Sequence, residues 1–124
     1  MPENKEYITK TEPEGSINIS EDVLCIIAFE AIKEIEGVGG VGSSIGKEIS
    51  DIIGKKNSFR GVRVSVEDED VTVDAMILVK YGYGVGDIAK QVQVAVSKAI
   101  EDMTGLNVVA VNVRVSGVTF EKEK

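Results

Sequence analysis

The run "GVGGVGSSIG", residues 37–46, is the first place in the chain where residue types and spacing suggest chemistry. Gly37, Gly39 and Gly42 stand at G-x-G-x-x-G spacing. Glycines so placed let backbone amides close on a dinucleotide pyrophosphate, provided that a strand runs into them and a helix leaves them. Here the run "SEDVLCIIAFEAIKEIEG" precedes them, and its apolar residues recur at helical spacing. The expectation is therefore that Gly37 closes a helix and that the cluster leads into a second one, with the amides used by the protein's own backbone.

The remaining chemistry-bearing residues are few. The chain has no histidine, which removes the commonest general base and metal ligand. Its one cysteine, Cys25, lies in the apolar run "VLCIIAF" and reads as a small core residue rather than a nucleophile. A single cysteine allows no internal disulfide, which suits a reducing cytoplasm. Glu67 to Asp70, "EDED", match no calcium-loop spacing and read as a solvated hairpin turn. Asp74 reads as the cross-strand partner of Arg63 or Arg114. Tyr81 and Tyr83 read as residues that close the core. No catalytic residue, metal, cofactor or small-molecule substrate is expected.

Charge weighs on the choice of partner. Fourteen basic residues against 21 acidic ones give a net charge of −7, which opposes phosphate backbones and anionic lipid. The alternative is a KH-like RNA-binding module. Its G-x-x-G loop would be Gly39 to Gly42, beside the basic cluster Lys55, Lys56, Arg60 and Arg63. The acidic balance disfavours nucleic acid. The longest apolar run is far short of the ~20 residues that cross a bilayer, so direct membrane insertion is not expected.

The elements that position these residues form one α+β domain. Residues 1–16 read as a flexible polar leader, 17–118 as the domain, and 119–124 as a charged tail. A first helix follows Ser20, its N-cap; Leu24, Ala28, Ala31 and Ile35 share its inward stripe, and Val23, Ile27 and Ile32 widen it. "SSIGKEISDIIGKK" predicts a second helix. Val62, Val64 and Val66, then Val71, Val73, Ala75, Ile77 and Val79, predict a hairpin whose second strand is central. A last helix starts at Asp87, its N-cap, turns Ile88, Val92, Ala95, Val96, Ala99, Ile100 and Met103 inward at helical spacing, and stops at Gly105. Val109, Val111, Val113 and Val115 predict the inward side of a final strand. The order is α-α-β-β-α-β, a three-stranded mixed sheet with helices mainly on one face. The opposite sheet face would carry Arg63, Asp74, Met76, Leu78, Lys80, Asn112 and Arg114, a candidate surface for self-association.

Three runs in order, "GSINISEDVLCIIAFEAIKEIEGVGGV", "GKKNSFRGVRVSVEDEDVTVDAMILVKYG" and "IAKQVQVAVSKAIEDMTGLNVVAVNVRVSGV", resemble the alkaline shock protein family, also called the envelope stress response family, of Gram-positive bacteria. The resemblance covers about residues 15–118. It implies a small cytoplasmic α/β protein without enzymatic activity, a stress-associated scaffold that forms homo-oligomers. It also implies protein partners: a membrane-anchored protein that holds it at the inner face of the membrane, or an enzyme of fatty-acid synthesis. The family supplies no catalytic residue to carry over.

Overall fold

The structure is a computed structural model and describes residues 7–42, 58–59 and 61–120. The helix expected over 43–56, and with it Lys55, Lys56 and Arg60, lies outside the described residues. The chain opens with a hairpin, β1 (Tyr7–Glu12) against β2 (Gly15–Ser20), where a flexible leader is expected. Ile8 explains the difference. It is buried in the common core, with Ile19 packed beside it, so a mostly polar segment still has an apolar anchor. Ser20 then caps α1 (Glu21–Lys33), its hydroxyl accepting from the Asp22 N–H at 3.1 Å. Glu21 and Asp22 fill the first turn, where the helix dipole favours negative charge.

The glycine cluster is a strand, not a helix cap. Glu34 caps α1, and β3 (Val38–Val41) follows directly. A short β4 (Ser58–Phe59) leads through a turn at Gly61 into β5 (Val62–Glu67), which pairs antiparallel with β6 (Asp70–Lys80). Next comes α2 (Val85–Thr104), and β7 (Asn107–Thr119) ends the described chain. Gly84, not Asp87, occupies the N-cap position of α2 and offers no side-chain bond. Gly105 stops the helix at φ 76°, a left-handed conformation that suits glycine.

Among the described residues the main sheet therefore has five strands rather than three, and β1–β2 form a second sheet. Strand β6 is its spine. Along one edge β7 runs parallel, from Asp70↔Asn107 to Lys80↔Thr119, as a strand–helix–strand crossover requires. The other edge is shared: β5 pairs with Asp70 to Ala75, and β3 with Ile77 to Val79. The two meet at Met76. Its N–H donates to the Gly61 carbonyl at 3.0 Å, and its carbonyl accepts from the Gly42 N–H at 2.6 Å. Gly61 sits at φ +92°, and a Cβ there would stand 2.5 Å from the Gly42 Cα, so only glycine closes this seam.

Both described helices join one core with the inner sheet face, though Val23, at the margin of the α1 stripe, and Met103, in the last turn of α2, are exposed. Leu24, Cys25, Ala28 and Ile32 of α1 meet Ile88, Val92, Val96 and Ile100 of α2 over Val62, Val64, Val73, Ile77 and Val79. Each fully buried aliphatic side chain contributes ~1.5–3 kcal/mol. Strand β7 departs from simple alternation, because its register against β6 slips between Val71/Thr72 and Ile77/Leu78. The first bulge turns Val109 out to 54 % exposure and packs Val108 against the core in its place.

Candidate interaction surface

Strand alternation brings all seven residues expected on the outer sheet face to that face. Arg63 on β5 stands opposite Asp74 on β6, and Asp74 stands opposite Asn112 on β7. Asn112 Nδ2 donates to Asp74 Oδ1 at 2.9 Å, so the partner of Asp74 is an amide rather than an arginine. Arg114 lies opposite Met76. Arg63, Asn112 and Arg114 are exposed, while Asp74, Met76 and Lys80 are half-buried.

Leu78 belongs to the face by register but not by exposure: only 9 % of it is open. A Cβ at Gly40 would be 3.3 Å from one Leu78 methyl, and one at Gly117 would be 3.0 Å from the other. The leucine thus lies flat over the two glycines of the flanking strands and seals the sheet's outer side. This is why β6 is apolar on both faces near its end. Beside it, the Ser116 hydroxyl donates to the Gly42 and Ile77 carbonyls at 3.3 and 3.4 Å.

Electrostatically the face differs from the rest of the chain. Among the described residues neither Arg63 nor Arg114 makes an ion pair. Two exposed guanidiniums flank a half-buried methionine in a protein of net charge −7. Such a face can hold a carboxylate-bearing segment through bidentate hydrogen bonds while apolar contact forms between them.

The glycines proposed for phosphate or RNA contact serve the sheet. Gly39 lies within β3 against the Thr119 side chain, and Gly42 follows β3 with its amide on Met76. They do not form a loop between helices, so the backbone clamp of a KH-like module is not built there. The tyrosines differ from expectation too. Tyr81 is 71 % exposed and stacks on Phe120 at 5.1 Å between ring centroids, outside the core. Tyr83 donates to Glu36 Oε2 at 3.4 Å. Nothing local in the sequence pairs Tyr81 with Phe120; the β6–β7 register does. No group of three histidine, cysteine, aspartate or glutamate side chains among the described residues is placed to hold a metal ion. Cys25 is buried, and burial pushes its thiol up to about 12, with the charges of Asp22 and then Glu21 adding to the effect. It is a core side chain without thiolate character.

Residues 9–120 match the family of alkaline shock protein 23, described as having a cell envelope-related function. The chain belongs to the alkaline shock protein family. Within this family it is 35 % identical over 106 residues to uncharacterized protein YloU of Bacillus subtilis, spanning 84 % of this chain and 88 % of that one. It is 30 % identical over 115 residues to the stress response regulator gls24 homolog of Streptococcus pyogenes, spanning 89 % of this chain and 64 % of that longer protein. Among solved structures, the zinc form of a MamM CTD variant overlaps with a TM-score of 0.47 at 16 % identity, covering 82 % of this chain and 87 % of that one. No described helix of this family member is long and apolar enough to cross a membrane.

Proposed function

We propose that the protein is a non-catalytic adaptor in the cell-envelope stress response, acting through self-association and through one protein partner. The partner is a membrane-anchored protein or an enzyme of fatty-acid synthesis, and the anchored form holds this acidic cytoplasmic domain at the inner face of the membrane. The family's envelope-related description and the stress-regulator relative support the setting. The observation that carries the reading is the outer sheet face. No described helix covers it, and it carries Arg63 and Arg114 around Met76. Its fitting occupant is an acidic segment of the partner.

Leu78 is too buried to report on docking, so the arginines are the probes. Tagged wild-type protein is expected to retain the anchored partner from solubilised membranes, and an Arg63→Glu/Arg114→Glu variant with unchanged circular dichroism to lose it. Raised salt should release the partner as well. Equal retention by both proteins rejects the outer face as the docking surface.

A further inference from the structure

The outer sheet face holds its own carboxylates away from its own arginines. Asp74 stands directly opposite Arg63 across the antiparallel β5–β6 pair. Side chains so placed have Cβ atoms about 5 Å apart, and opposite charges there attract. Arg114 is diagonal to Asp74, because it pairs with Met76, two residues further along β6. A long side chain still reaches across such a diagonal. Yet Asp74 forms an ion pair with neither arginine. Its Oδ1 accepts from Asn112 Nδ2 at 2.9 Å. Asn112 stands opposite Asp74 on β7, across β6 from Arg63.

The arrangement recurs along the same strands. Asp70 also stands opposite an asparagine of β7, and Asn107 Nδ2 donates to Asp70 Oδ1 at 3.2 Å. Both aspartates of β6 are thus held by side-chain amides of β7. An amide donor engages a carboxylate without using any guanidinium N–H. Among the described residues Arg63 and Arg114 therefore keep their N–H donors clear of any carboxylate of the chain. An arginine already paired with Asp74 would have to break that pair before it could take a carboxylate from outside.

We propose that Asn112 sets the receptivity of the outer face: it draws Asp74 towards β7, so that Arg63 stays open to a carboxylate of the partner. This inference rests on the proposed docking of an acidic segment and gives that docking a positioning residue. Asn112 acts through Asp74. Loss of its amide therefore matters only while residue 74 carries a charge. A residue that merely supported the strand, or touched the partner itself, would matter whether or not that charge were present.

The test is nuclear magnetic resonance on the full chain, with and without a ligand. The probe is the end-blocked peptide Glu-Ser-Leu-Ser-Glu, and Gln-Ser-Leu-Ser-Gln is its uncharged control. Wild type is compared with Asn112→Val, Asp74→Asn and the double variant. Valine suits an exposed strand position, and asparagine has the shape of aspartate. Asn112→Ala repeats the comparison with a smaller side chain. Before peptide is added, Asn112→Val should shift the Arg63 Nε–H signal as Asp74 engages it, and the double variant should return the signal to its Asp74→Asn position. Asn112→Val should then bind the glutamate peptide about threefold more weakly than wild type, the size of one exposed ion pair. The double variant should bind it like Asp74→Asn. If wild type binds the peptide and the Asn112 variants bind it equally, or lose affinity in both backgrounds, the role of Asn112 is rejected while acidic docking stands. An Arg63 signal that is the same in wild type and in the Asn112 variants rejects that role too. If wild type does not bind the glutamate peptide, or binds the control equally, acidic docking on this face fails and the inference with it.

Discussion

Cys25 shows how one buried atom ties folding to pH. Its thiol keeps a proton in the folded chain up to about 12, against an ordinary value of 9.0. Between those values the unfolded chain gives up a proton that the folded chain retains. The stability linked to this group is whole below about pH 9 and is lost as pH rises towards 12. The slope approaches ~1.4 kcal/mol per pH unit. Urea melts of wild type and Cys25→Ala, run from neutral to strongly alkaline pH, should converge as pH rises. Parallel curves would show that another group governs alkaline unfolding. Gly61 makes a second prediction at this scale. Gly61→Ala forces a side chain into a left-handed backbone and against Gly42, so denaturant melts should show a loss of at least ~2 kcal/mol.

At the scale of elements, the outer sheet face is a seal with charged groups around it. Leu78→Ala should cost ~2–5 kcal/mol, as a core truncation does, whereas Arg114→Ala should leave the melt within ~0.5 kcal/mol. The β1–β2 hairpin depends on Ile8. Ile8→Ala should loosen the hairpin before the main sheet, read as faster tryptic cleavage at Lys10 with α2 still protected. What could be read from sequence follows the same division. The α2 face was legible because Ile88, Val92, Val96 and Ile100 repeat every four residues with polar residues between them. Strand alternation also placed Arg63, Asp74, Met76, Asn112 and Arg114 on one face. Strand β3 was not legible, because "VGGV" reads as a turn until β6 supplies its hydrogen bonds. Val109 was misplaced because a bulge reverses alternation without a local mark. The burial of Leu78 depends on Gly40 and Gly117, which come beside it only through sheet pairing. Tyr81 reads as a core residue from sequence because its stacking partner, Phe120, lies beyond the end of β7.

For the whole molecule, the net charge of −7 separates self-association from docking on the outer face by their response to salt. Copies of a like-charged chain repel, and salt with a Debye length of about 10 Å at 0.1 M screens that repulsion. Self-association should therefore strengthen from low to moderate ionic strength, by light scattering. Docking of an acidic segment on Arg63 and Arg114 should weaken over the same range. A common direction for both would show that one surface serves both roles. Met76 has a wider consequence. Because Gly42 and Gly61 both bond to this one residue, β3 and β5 lie end to end along one side of β6 and together match the span that β7 covers on the other. Strand β6 is thus paired on both sides along its whole length, which leaves the centre of the main sheet no free edge for an outside strand.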